Sequence, residues 1–201
     1  MDGREMSAEE AERLWEAWTP GELTRSMAGV AAPWYVAAGW ALDLFTGGDA
    51  RAHSDLEIGV PRERFDEVAA AFPGYEWDVV GDGRVWSWPD GAQHHQTWLR
   101  DPCSGRYRLD VFREPHVGDR WVCRREPSIT LAYDELILRT DDGIPYACPE
   151  VCLLFKAKAR RDKDEGDFRR VLPAMDSVRL ERLAQWLAIV HPRHPWLDEL
   201  S

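Results

Sequence analysis

Two short stretches, well separated in the chain, carry the same alternation and constrain the fold more than anything else. They are Ser54-Asp55-Leu56-Glu57-Ile58-Gly59-Val60 and Arg108-Leu109-Asp110-Val111-Phe112. Successive side chains of a strand leave opposite faces. Leu56, Ile58 and Val60 therefore share one face against Asp55 and Glu57, and Leu109 and Val111 oppose Asp110. Each stretch is expected to be a half-buried strand with acid on its open side. Residues two apart on a strand are separated by about 6.6 Å, so Asp55 and Glu57 can converge on one site with Asp110 as a third carboxylate from a neighbouring strand. Two metal ions about 3.5–4 Å apart would fit among such groups. Solvent faces of strands also carry acids routinely, so this pattern alone leaves an ordinary surface reading open.

The remaining periodicities place these strands in an α+β chain. Apolar positions at helical spacing behind a Ser7/Glu10 capping pattern predict a helix over 7–18, which Thr19-Pro20-Gly21 ends. A second helix is expected over 22–31, a short buried strand over 34–37 and a helix over 40–45. Pro61 opens a helix through Phe72. Strands follow at 75–80, 84–88, 93–99 and 106–112, with a hairpin turn at Gly81-Asp82-Gly83, so the middle of the chain reads as an antiparallel sheet. From Pro149 the pattern becomes helical, over 149–161, 163–172 and 177–190, before a tail containing Pro192 and Pro195. The expected organisation is an α+β domain over 1–147 and a C-terminal helical lobe over 148–201.

With 201 residues the chain can bury a core without disulfides. A formal charge of −11 repels polyphosphate and anionic membrane, disfavours nucleic acid as a partner, and would attract a cationic substrate. The most apolar stretch, 27–45, is broken by Pro33, Gly39 and Asp43 and fails as a membrane span. Cys103, Cys123, Cys148 and Cys152 form no CxxC pair, and no signal segment is evident, which fits a reducing cytoplasm; Cys148 and Cys152 read as buried thiols or as half of a zinc site. Trp40, Trp86, Trp88 and Trp98 serve as core filler or as walls of a substrate cleft.

Upstream of the first acidic strand, Ala37-Ala38-Gly39-Trp40-Ala41-Leu42-Asp43 reads as a strand-to-helix turn whose glycine and helix N-terminus offer backbone N–H groups to a phosphate. Arg51 and His53 form a basic loop between that turn and the carboxylates. Phosphate cradle, basic loop and hard oxygen ligands together suit nucleotide and magnesium chemistry. Gly39–Asp43, His53–Ile58, Leu109–Phe112 and Ile144-Pro145-Tyr146-Ala147-Cys148-Pro149-Glu150, in this order, resemble the polymerase-beta-like nucleotidyltransferase superfamily. The closest branch resembles the aminoglycoside 2''-adenylyltransferase-like and lincosamide nucleotidyltransferase-like proteins, over about Trp34 to Phe168.

That resemblance implies a mixed sheet flanked by helices, two Mg²⁺ ions held by Asp55, Glu57 and Asp110, and ATP or another NTP as donor. It further implies pyrophosphate as leaving group and a small-molecule hydroxyl, as on an aminoglycoside-like antibiotic, as acceptor. Asp55 and Glu57 would hold the nucleotide-bound metal; Asp110 would help hold the second and take the hydroxyl proton. Gly39 and Trp40 would cradle phosphate, and Lys156 and Lys163 would face the triphosphate, although either lysine also reads as ordinary helix surface. His53 reads as a loop-ordering group, and His94 and His95 as rim residues. The chain departs from the family pattern twice: Ala38-Gly39 stands where Gly-Gly or Gly-Ser is usual, and Glu57 where Asp is commoner. A retired, partner-binding member of the superfamily is the alternative reading.

Overall fold

A computed structural model describes residues 2–47 and 52–200. The chain runs β1 (Arg4–Glu5), α1 (Ala8–Leu14), α2 (Pro20–Ser26), β2 (Tyr35–Val36), α3 (Ala38–Thr46), β3 (Glu57–Pro61), α4 (Phe65–Ala70), β4 (Glu76–Gly81), β5 (Arg84–Ser87), β6 (Gln96–Arg100), β7 (Tyr107–Glu114) and β8 (His116–Val117). It continues with β9 (Arg120–Val122), β10 (Thr130–Ala132), α5 (Tyr133–Leu136), β11 (Ile137–Arg139), β12 (Pro145–Ala147), α6 (Pro149–Lys156), α7 (Asp162–Val171), α8 (Ser177–Val190) and α9 (Trp196–Glu199). The architecture is α+β with a mixed sheet. No described helix is long and apolar enough to cross a membrane.

Two compact units emerge. One takes the chain through Val36 together with Ala52–His116; the other begins at Ala37 and resumes at Val117. Helix α3 and the short strands after β7 thus group with the C-terminal helices, because α3 packs on α6 and α7.

In the first unit the strands lie in the order β1-β5-β4-β6-β7-β3-β2. The antiparallel middle expected from the turns is present. β4, β6 and β7 form an antiparallel meander, and β7 then lies parallel to β3. β3 already pairs antiparallel with β2 on its other side, and the direction of β7 is dictated by the meander. The turn between β4 and β5 is a two-residue hairpin with Asp82 at φ 49° and Gly83 at φ 72°, the doubly left-handed geometry that twisted hairpins favour. Leu56, Ile58, Val60, Leu109 and Val111 are fully buried on one face of the sheet, as the alternation requires. Asp55 and Leu56 precede β3, which starts at Glu57.

Helix α1 stops at Leu14 instead of Trp18. Trp15 forms a parallel bridge with Tyr107, and the N–H groups of Glu16 and Trp18 donate to the carbonyls of Tyr107 (3.0 Å) and Arg108 (3.1 Å). β3 first pairs with β7 at Asp110, so the start of β7 offers carbonyls that extended chain can use and helix cannot. Thr19-Pro20-Gly21, expected to end a helix, begins one. Thr19 and Glu22 form a reciprocal capping box, and Pro20 fills the first helical turn, where it lacks no needed donor. Trp98 is core, packed with Met6, Val85 and Tyr107 under α1.

In the second unit α8 spans Ser177–Val190, the expected range, with Asp176 capping the Arg179 N–H at 2.9 Å. Phe168 and Trp196 stack face to face at 4.2 Å between centroids. The expected helix 149–161 ends earlier, at Lys156, and Arg160 at φ 47° lies in the break before α7. Cys123, Cys148 and Cys152 are buried thiols, and burial pushes the Cys148 thiol well up.

Candidate active site

The parallel register of β3 and β7 sets Glu57 directly opposite Asp110, and the Asp110 N–H donates to the Leu56 carbonyl at 2.8 Å. Asp110 is only 3 % exposed, whereas Asp55 and Glu57 are half-buried. Trp98 is the partner of Asp110 on β6, and Gln96, diagonal to it on the same face, donates its side-chain N–H to Asp110 Oδ2 at 2.5 Å. The other oxygen, Oδ1, is buried with no hydrogen-bond partner, as is Trp98 Nε1. Burial, then the charge of Glu57, with Asp55 adding to it, holds the Asp110 carboxyl well above the usual carboxylate range; Gln96 and, less strongly, the nearby Trp98 side chain oppose them.

A buried carboxylate whose proton affinity is raised by the neighbouring charges of Glu57 and Asp55 gains from a cation. Among the described residues, no three His, Cys, Asp or Glu side chains converge as ligands of one ion. Mg²⁺ seldom takes an all-protein cage; it uses one or two carboxylates, waters and substrate phosphates. The orphaned Asp110 Oδ1 beside Glu57 fits that chemistry.

A folded-state pKa above the unfolded one means that the stability contributed by the protonated form is full below the unfolded pKa and is lost as pH rises through the folded value. Asp110→Asn is therefore expected to raise the metal-free melting temperature at about pH 8, by a few degrees or more, and to leave it nearly unchanged at about pH 3. Thermal melts in chelator at the two pH values check this. An equal shift at both would remove the charge from the explanation.

In the second unit the N-terminus of α3 carries Gly39, buried, and Trp40, half-buried, and its cap position Ala37 makes no side-chain cap bond. Ala38 stands at φ 50°, a left-handed value that costs an L-residue about 1–2 kcal/mol. The alanine that departs from the Gly-Gly pattern thus occupies the position that favours glycine. Ala38→Gly is expected to stabilise the protein by about 1 kcal/mol, read as a rise of about 2–4 °C in melting temperature. An unchanged or lower value would mean that Ala38 is relaxed there.

The structure separates the remaining sequence candidates. His53 is half-buried in the loop before β3, Lys163 is exposed on α7, and Arg51 lies outside the described residues. Lys156 is the notable case. It is 8 % exposed, and its Nζ lies 2.9 Å from Asp167 and 3.2 Å from Asp164. Its charge is already engaged by two buried carboxylates, which argues against the triphosphate role. Arg170 extends this network by donating to Asp43 and, at 2.8 Å, to Thr46, and so ties α7 to α3. Trp86 stacks on His94 at 4.9 Å, and Trp88 lies under the Arg113 guanidinium at 4.5 Å.

Gln96, Arg170 and Arg113 escaped the sequence reading. Arg113 is buried and donates to Thr97 Oγ1 (2.8 Å), the Ala92 carbonyl (3.2 Å) and the His94 carbonyl, which orders the loop leading into β6. Burial, then Arg62, pushes it down to about 10. For Gln96 a signal existed: in the predicted strand 93–99 it stands two residues before Trp98 and so on the same face.

No protein-family model matches the chain, and no curated protein sequence matches it. Solved structures do. The lincosamide antibiotic adenylyltransferase LnuA, with lincomycin bound, aligns with a TM-score of 0.55 at 16 % identity, over 86 % of this chain and 100 % of that one. ANT(2'')-Ia in complex with adenylyl-2''-tobramycin aligns with a TM-score of 0.58 at 13 % identity, over 86 % of this chain and 95 % of that one. The solution structure of the antibiotic-resistance factor ANT(2'')-Ia gives 0.54 at 15 %, over 87 % and 94 %. The chain therefore shares the fold of LnuA and ANT(2'')-Ia.

Proposed function

We propose that this protein is a metal-dependent nucleotidyltransferase that moves a nucleoside monophosphate, with AMP from ATP as the first choice, onto a hydroxyl of a small molecule. The observation that carries this reading is the register of Glu57 on Asp110, with one Asp110 carboxylate oxygen held by Gln96 and the other buried and unpartnered. Asp55 and Glu57 are assigned to the metal that accompanies the donor. Asp110 is assigned to the second metal and to the acceptor proton. When bound, divalent metal would neutralise phosphate charge and favour ionisation of the attacking hydroxyl. Gly39 and Trp40 are assigned to donor phosphate, with Arg51, His53 and the exposed Lys163 as further donor contacts. Lys156 is assigned a structural role instead.

The acceptor class rests on the neighbours, one solved with lincomycin and another with an adenylylated tobramycin. The net charge of −11 suits a polycationic antibiotic and a protein that does not seek nucleic acid. Antibiotic resistance and a cytoplasmic location belong to the same proposal. The test is pyrophosphate release from each NTP with Mg²⁺, across a panel of hydroxylated antibiotics, with mass spectrometry of the product. Transfer to at least one acceptor supports the reading. A second reading, a binding protein that has lost catalysis, draws on the deep burial of Asp110 and on Ala38 and Glu57. It predicts MgATP binding by calorimetry without transfer to any acceptor.

A further inference from the structure

We infer that Gln96 is a positioning residue for Asp110: its side-chain amide holds Oδ2 and leaves Oδ1 aimed at the reacting groups. This inference rests on the nucleotidyltransferase reading above. β6 lies between β4 and β7, and Gln96 is in register with Val80 on one side and Phe112 on the other. Its backbone is thus fixed by both neighbours, and Arg113 pins the loop that precedes it, with the Arg113 N–H donating to the His95 carbonyl at 2.7 Å. From that fixed base the amide reaches Asp110 Oδ2 at 2.5 Å while Oδ1 has no partner.

The residue type matters. A carboxylate with one oxygen hydrogen-bonded loses rotational freedom about its last torsion, and the second oxygen inherits a defined direction. Lys or Arg at this position would also orient Asp110, but would cancel the negative charge that a metal ion and a proton acceptor both need. Glu would add a third like charge to Glu57 and Asp55. Gln donates without charge, so it orients Asp110 and leaves its charge available. Gln96 touches neither donor nor acceptor in this account, so its effect passes entirely through Asp110.

The experiment has two arms on the full chain. In metal-free protein, a double-mutant cycle of Gln96→Leu and Asp110→Asn is read by chemical denaturation. The pair should be non-additive by about threefold or more in the unfolding equilibrium constant. With MgATP and the acceptor found by screening, Gln96→Leu should slow single-turnover transfer by about 10- to 100-fold, the scale of a misplaced reacting group. Its MgATP dissociation constant should stay within about threefold, because Asp55 and Glu57 keep the nucleotide-bound metal. Gln96→Ala repeats both arms if the leucine variant fails to fold. Additive stabilities, unchanged transfer, or equal losses in affinity and rate would each overturn the positioning role. A wild-type protein that neither binds MgATP nor transfers would defeat the nucleotidyltransferase reading itself and take this role with it, a result distinct from failure of the variant alone.

Discussion

Asp110→Asn is expected to slow nucleotide transfer by about 10²- to 10⁴-fold while MgATP affinity stays within about tenfold. Asn keeps the shape of the side chain and can still accept the Gln96 hydrogen bond, so the β6–β7 pairing is undisturbed. What it loses is the negative charge and the ability to take a proton. Asp55 and Glu57 retain the nucleotide-bound metal in the proposed scheme, so binding and chemistry should come apart. Calorimetry with MgATP, single-turnover transfer and circular dichroism on one preparation make the comparison. Parallel losses would place Asp110 in nucleotide binding alone, and an active variant would remove it from the site. The same substitution is expected to stabilise the metal-free fold at alkaline pH, so one carboxylate should show opposite effects on stability and on chemistry. A group retained for packing would give no such opposition.

Lys156→Met is expected to destabilise the protein by about 3 kcal/mol, a fall of about 6–12 °C in melting temperature, with little change in MgATP affinity. Asp164 and Asp167 are almost wholly buried, and removal of Lys156 strips each of a close partner. Arg161 at 2.8 Å from Asp164 and Arg170 at 3.2 Å from Asp167 remain, which keeps the loss short of collapse. Burial raises the Asp164 pKa, but the Arg161 and Lys156 bonds outweigh it and hold the carboxyl below its ordinary value. Its contribution is therefore present above the unfolded pKa and lost as pH falls through the folded one, so the gap between wild type and variant should narrow in acid. Denaturant titrations at neutral and acidic pH check this. If stability is unchanged and MgATP affinity falls, Lys156 reaches the donor after all.

The two faces of the acidic strands were legible because burial on one side of a sheet imposes period two, and Leu56, Ile58, Leu109 and Val111 obey it. Helix α8 was legible to the residue because a long amphipathic run with an Asp cap leaves few competing solutions. Thr19-Pro20-Gly21 misled because a Pro-Gly pair that can stop a helix also suits the first turn of one; only Glu22, three residues after Thr19, tells the two apart. β9 to β12 have three residues each, too few for any period, and their place comes from pairing alone. The partners of Lys156 lie on α7, beyond the turn at Arg160, and no spacing rule for a continuous helix finds them. The sequence put Gln96 on the face of Trp98, but its place diagonal to Asp110 needed the β6–β7 register.

The two-residue strand at the edge of the sheet bears on solubility. β1 is two charged residues, Arg4 and Glu5, laid along β5, with Met6 donating its N–H to the Gly83 carbonyl at 2.9 Å and Gly3 packed flat on the Trp86 indole. A side chain at Gly3 would strike that ring. Beneath this short cover lies Arg84-Val85-Trp86-Ser87, an apolar-centred strand whose outer hydrogen-bonding edge β1 occupies. Charged, very short edge strands blunt the template that an open sheet presents to other chains. Trimming the first six residues would therefore bare Val85 and Trp86 along an unpaired edge, and clipped molecules would aggregate through that edge while Glu57 and Asp110, at the far side of the meander, kept their register.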